Sequence, residues 1–286
     1  MEKIAILVDS SADLPKELRE IENIYTIPLY ININGKYYRD WIDIGPDDIV
    51  AYNDEHPDNL SKTSAPSPGD LLQAFDKISG DGYDKIFAVF INSKFSSTYQ
   101  LASMLAEDYD DAEIFTIDSE TVTVAETLLI AYLNDLIKEG LSFEEIKEKI
   151  DGVADKLVIH GWLDTIENIR AGGRIQGTLK KVAGLFSFHP EILIGPNANI
   201  ELRKLKINSK GAIKDIIATS KDKLSDSNNY YLSIGYSDDI EPALEIKEAI
   251  GDLIDGARGF YMGQLGAVIG SHAGKGAFGV TFLRLD

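Results

Sequence analysis

The 286-residue sequence contains no cysteine, which excludes a disulfide framework, a thiolate metal site and a cysteine nucleophile together. It is also poor in positive charge: Lys and Arg number 28 against 47 Asp and Glu, for a formal net charge of -19. Such a polyanion gains nothing by approaching the phosphates of nucleic acids or an anionic membrane surface. Long apolar runs are missing as well, since no stretch approaches the ~20 residues needed to span a bilayer. The opening Met1-Glu2-Lys3-Ile4-Ala5-Ile6-Leu7-Val8-Asp9 lacks the apolar length and small-residue cleavage site of a secretory signal. These absences predict a soluble cytoplasmic protein. No histidine and acid spacing suggests a zinc site, so no metal is expected, and no Gly-x-Ser-x-Gly elbow suggests an esterase.

What is present is a globular composition, 44% hydrophobic and 26% charged, long enough for one large or two medium domains. Short apolar runs alternate with helical patterns through the first two thirds, the signature of crossover units around a mostly parallel sheet. Strands are expected at Ile4 to Val8, Ile24 to Ile33, Lys85 to Ile91 and Ile114 to Ile117, with Asn34-Gly35 as a hairpin turn. Thr63 to Asp70 reads as a loop, and Ser142-Phe143-Glu144-Glu145 as a capping box opening a helix to about Ala154. A less regular region follows, with strands at Leu157 to Ile159, Glu191 to Ile194, Ile200 to Ile207 and Tyr230 to Tyr236. Helices are expected at Ile213 to Leu224 and Pro242 to Leu253, before a glycine-studded end closing in Val280-Thr281-Phe282-Leu283. The expected fold class is α/β in two domains, residues 1–155 around a mostly parallel sheet flanked by helices and residues 156–286 around a smaller mixed sheet.

Several strands of the first domain end in hydroxyl or acid clusters just before a helix: Asp9-Ser10-Ser11, Ser93 to Thr98, and Asp118-Ser119. Ligands of open α/β sheets sit at that carboxyl edge, where helix N-termini offer free N–H groups to an anion. A carboxylate or phosphate head group is one reading; plain helix capping is the other. Gly270 to Gly279 contains a formal G-x-G-x-x-G match, but only a short strand follows it, and Gly276 stands where a phosphate loop needs Ser or Thr. It reads as a loop of close backbone approach, with His272 able to donate one hydrogen bond and accept another. Gly172-Gly173-Arg174 is ambiguous between a simple turn and a carboxylate clamp. The basic run Arg203-Lys204-Leu205-Lys206 is either a docking patch or a solvated strand face.

Taken in order, Val8-Asp9-Ser10-Ser11-Ala12-Asp13-Leu14, Thr63-Ser64-Ala65-Pro66-Ser67, Ser96-Ser97-Thr98-Tyr99-Gln100, Asp118-Ser119, Gly172-Gly173-Arg174-Ile175 and Gly266 through Gly279 make the whole chain resemble the DegV family. These are bacterial fatty-acid-binding proteins that present a fatty acid to a fatty-acid kinase. The resemblance implies a long-chain fatty acid in a tunnel between two domains, its carboxylate held by Thr63, Ser96, Arg174 and His272. Ser10, Ser64, Ser97 and Gly270 would lie in the supporting loops. It also implies a non-enzymatic carrier with no cofactor, whose partner is a separate kinase. The sequence departs from the family pattern at Ala65, usually glutamine, at Ser97, usually glycine, and at Lys275, usually proline. Two other readings stay open: a hydrolase or acyltransferase with Ser96 as nucleophile and His272 as base, and a regulatory module for a smaller carboxylate.

Overall fold

The computed structural model describes residues 2–174, 189–196, 199–206 and 208–286; Ile175 and Ile207 lie outside them. Among the described residues, Ile4–Asp9 is buried at every position, as befits a central strand with both faces covered. It is flanked in parallel by Ile24–Ile27 and Lys85–Phe90, and Glu113–Asp118 extends the sheet as an edge strand. Alternate side chains then choose opposite faces. Ala5, Leu7, Ile86 and Ala88 pack with Leu71, Phe75 and Ile78 of the helix Pro68–Gly80. Ile4, Ile6, Phe87 and Val89 pack with Leu128, Leu129 and Leu133 of the helix Val124–Lys138. That helix is buried nearly all round, because its other side meets a second sheet.

The second sheet is mixed, in the order Asn199–Lys206, His189–Gly195, Ile159–Trp162, Phe278–Arg284, Tyr230–Tyr236 and Gly259–Gln264, with only the last pair parallel. Expected to be the smaller of the two, it has six strands against four. Other expectations need correction. Ile24 to Ile33 is not one strand: Pro28, which has no N–H to give a ladder, separates Ile24–Ile27 in the parallel sheet from Tyr30–Ile33 in a third, three-stranded sheet. The segment read as a loop at Thr63 begins in a short strand, Lys62–Ser64, that completes this third sheet. The expected helix Pro242 to Leu253 is interrupted at Ile250, the cap shared by Glu241–Ala249 and Gly251–Gly256. The glycine-studded end holds a strand and a helix, Ala267–Ala273, so His272 is helical rather than in a loop.

This last helix is seated by carboxylates from the beginning of the chain. Asp13 accepts from the Gly266 N–H at 2.8 Å, and Asp40 accepts from the Ala267 N–H at 2.9 Å. The positive end of the helix therefore meets the protein's own carboxyl groups. Thr123 donates to Asp13 at 2.7 Å and Ser10 to Asp40 at 2.7 Å, while Trp41 donates its indole N–H to Asp13. Asp13, Trp41 and Thr123 all have left-handed φ, at 47°, 61° and 55°, which is costly for non-glycine residues unless their surroundings hold them there. Gly266 must lack a side chain, since a Cβ would lie 2.4 Å from Trp41 Nε1. Burial raises the Asp40 carboxyl to about 7, and burial together with the Asp40 charge raises Asp13 well above the ordinary range.

Glu126, on the helix between the sheets, is fully buried, and neither carboxyl oxygen has a hydrogen-bond partner. Burial, then the nearby Asp9, Asp13 and Asp118, raises its pKa well above normal. A carboxyl raised on folding contributes stability that is present below its unfolded value and lost as pH rises through its folded value. Glu126→Gln is accordingly expected to raise Tm relative to the parent at about pH 8, with the gain shrinking toward about pH 4. Thermal unfolding of both proteins across that range checks this, and a difference independent of pH would contradict it.

Candidate functional site

Between the parallel and mixed sheets lies a cavity with about 760 Å³ of empty space, part of it open to solvent. Leu29, Ile91, Val122 and Phe95 line it from the first half of the chain, Ile192, Ile194 and Ile200 from the mixed sheet, and Val268 and Ile269 from the last helix. Thr63, Ser64, Ser96, Arg174 and His272 supply its polar lining. Residues separated by more than 200 positions thus converge on one space.

Each polar side chain is placed by a separate local device. Thr63 is held in register opposite Ile31 by the short strand Lys62–Ser64. His272 sits in the last turn of Ala267–Ala273, and its Nε2 lies 2.9 Å from Thr63 Oγ1. Its Nδ1 is buried without a partner. Orphaned N–H groups are rarer in folded proteins than unused acceptors, which assigns the imidazole proton to Nε2. Nε2–H then donates to Thr63, and the threonine hydroxyl proton is left to donate elsewhere. Burial, and secondarily the Arg174 charge, lowers the His272 pKa to about 4, so the ring is neutral at physiological pH.

Arg174 follows the short helix Glu167–Ala171. Its Nε donates to the Phe95 carbonyl at 3.1 Å and Nη1 to the Gly172 carbonyl at 2.7 Å, fixing the guanidinium plane. Ser96, next to Phe95, lies 2.8 Å from the Thr98 hydroxyl and accepts from the Thr98 N–H at 3.3 Å. The loop beneath it is tied down by Asn92, whose side chain donates to the Glu120 carbonyl at 2.6 Å and accepts from the Lys94 N–H at 2.9 Å. Thr63, His272, Arg174 and Ser96 thus line one cavity whose other walls are largely apolar.

The other sequence-derived candidates separate. Ser64 lines the cavity, whereas Ser97 is exposed ahead of the helix Thr98–Glu107. Ser10 turns toward Asp40 and the Leu29 N–H and lines a different depression, near Trp41. Gly270 is buried in the last helix, where a Cβ would meet Ile49 at 3.3 Å. Asp9 and Asp118 serve structure: Asp9 accepts from the Ile91 N–H and Asp118 from the Ser93 N–H. In the basic run, Arg203 faces Glu191 at 3.4 Å and Lys204 pairs with Asp215, so both charges are compensated on the strand. Lys275 pairs with Asp54 of the helix Pro46–Glu55, an exposed contact of small energetic weight. Sequence reasoning missed Phe95, whose carbonyl and ring both serve the site, and the isoleucines of the mixed sheet, which carry no mark distinguishing cavity lining from core. Among the described residues, no helix is long and apolar enough to cross a membrane.

The fold and the site define an α/β protein that encloses an amphipathic small-molecule cavity between two sheets. The chain belongs to the DegV family: residues 3–285 match the family described as "Uncharacterised protein, DegV family". A DegV domain-containing protein of Caldanaerobacter subterraneus subsp. tengcongensis is 30% identical over 99% of both chains. A stearic acid-binding protein from Eubacterium ventriosum is 28% identical, with a TM-score of 0.86 over 99% of this chain and 98% of that one. The Streptococcus pneumoniae fatty acid kinase (Fak) B3 protein loaded with linoleic acid shares the fold over the full length of both chains, with a TM-score of 0.81 at 24% identity.

A neutral His272 whose folded pKa lies below its unfolded one costs stability as pH falls from about 6.5 through about 4. An NMR titration of the imidazole is expected to give a midpoint near 4. Arg174→Gln should raise that midpoint only part of the way to normal, because burial is the larger cause. A wild-type midpoint at the ordinary histidine value would refute this description of the ring.

Proposed function

We propose that the protein binds a long-chain fatty acid, with its carboxylate on Thr63, Ser96 and Arg174, with His272 completing the network by orienting the Thr63 hydroxyl, and with its alkyl chain along the apolar walls, and that it presents this ligand to a separate fatty-acid kinase. The observation that carries the reading is the convergence of these four polar side chains on an otherwise apolar cavity. A carboxylate is tolerated away from water only when hydroxyl donors and a cation satisfy it. The chain contributes about 0.8 kcal/mol per buried methylene, less the cost of ordering it. The stearic acid-binding relative at 28% identity supports the ligand class. The kinase step and the carrier role, without catalysis by the protein itself, rest on the family resemblance.

The geometry does not favour the hydrolase alternative. Ser96 is bonded to Thr98 rather than to His272, and a histidine with a pKa lowered to about 4 is a weak base at neutral pH. A smaller carboxylate is separated from a fatty acid by chain length. Calorimetric affinities for a saturated series from octanoate to octadecanoate are expected to tighten by about fourfold per methylene until the cavity is filled. Thr63→Val and Ser96→Ala should each weaken binding of the best ligand by roughly tenfold or more, since each removes a bond to a charged group. Affinity unaffected by both substitutions would overturn the head-group assignment, and affinity independent of chain length would overturn the ligand class.

A further inference from the structure

The two short helices that bring Arg174 and His272 to the cavity end against each other in a reciprocal way. Glu167–Ala171 is capped by Gly172, and Ala267–Ala273 is capped by Gly274. A Cβ on Gly172 would lie 2.2 Å from His272 Nδ1 and 2.5 Å from Cε1. A Cβ on Gly274 would lie 3.1 Å from Asn168 Oδ1. Each helix thus ends in a glycine that receives a polar side chain from the other. Gly172 has ordinary right-handed backbone angles, φ -70° and ψ -10°, so no conformational demand explains a glycine there. The imidazole itself does. Gly274, by contrast, has φ 74° and would be strained by any side chain. The same Gly172 also offers its carbonyl to Arg174 at 2.7 Å, so one residue without a side chain touches both the cation and the imidazole of the site.

We infer that Gly172 is a positioning residue: it lets the Nδ1–Cε1 edge of the His272 ring lie against the end of the neighbouring helix and locks His272 and Arg174 into one unit, so that the two helices cannot shift independently. This rests on the fatty-acid reading only where ligand affinity is concerned; the interlock itself is a statement about packing.

The test is Gly172→Ala, made in the parent and in a His272→Ala background, with Gly80→Ala as a control at a glycine outside the left-handed region whose added Cβ has nothing within 4 Å. In the parent, Gly172→Ala is expected to lower Tm by several degrees, because the helical backbone accepts alanine but the ring must move. It should also shift the His272 imidazole resonances and raise their titration midpoint as the ring leaves its buried seat. With His272→Ala already present, Gly172→Ala should cost nothing or stabilise, since the clash is gone and alanine is the better helical residue. Equal destabilisation in both backgrounds, or imidazole resonances unmoved by Gly172→Ala, would overturn the interlock. Oleate affinity, read on the same proteins, should fall by roughly tenfold in Gly172→Ala. If the resonances move and the stability cycle closes while oleate affinity stays unchanged, the interlock stands and the head-group role of His272 fails.

Discussion

The grip of Asp13 and Asp40 on the first N–H groups of the helix Ala267–Ala273 is the constraint on which the site depends. Both carboxylates come from the first forty residues, and the helix is almost the last element of the chain. Their hydrogen bonds offset the cost of burying charge only because every element around them is fixed: Thr123, Ser10 and Trp41 donate to the two acids, and Gly266 admits them by having no side chain. Once the helix start is set, its short length leaves His272 little freedom, and the ring arrives beside Thr63. The strained φ values of Asp13, Trp41 and Thr123 are gathered at this clamp, where surrounding contacts over-determine the backbone.

The cavity follows from the way two sheets share one helix. Val124–Lys138 lies between the parallel sheet and the strands Tyr230–Tyr236, Gly259–Gln264 and Phe278–Arg284 of the mixed sheet, and Val122, just ahead of it, lines the cavity. Polar groups enter this space from backbone features that exist for other reasons: a strand end, a loop held by Asn92, and the last turns of two helices. None of the polar lining residues lies deep in the parallel sheet, and after two of the strand ends expected to hold an anion the first N–H groups are taken internally, Ser11 N–H by Asp9 and Thr98 N–H by Ser96. The polar lining of the cavity is therefore made of side chains rather than the backbone amides that a mononucleotide fold presents.

Much of the framework was legible in the residues. Unbroken apolar runs such as Ile4 to Val8 mark buried parallel strands, and the Ser142 capping box opens its helix where expected. The Thr63, Ser96, Arg174 and His272 set came from ordered motifs, and the structure brings all four to one cavity. What could not be read depends on tertiary context. Lys62–Ser64 is a strand only because Tyr30–Ile33 lies beside it, and three residues carry no periodicity. His272 looked like a loop residue because glycines surround it, although Gly266 and Gly270 are there to let the helix pack closely. Ile192, Ile194 and Ile200 read as core, since the face of a strand that meets a cavity has the same composition as one that meets another side chain.

The most direct test of the central claim is mass spectrometry of an organic extract from the protein purified from a bacterial host without added lipid, set against a mock purification. The account predicts about one long-chain fatty acid per chain, absent from the mock, as expected when burial of an alkyl chain makes release slow. A protein that carries no fatty acid and takes up none when oleate is supplied would contradict it.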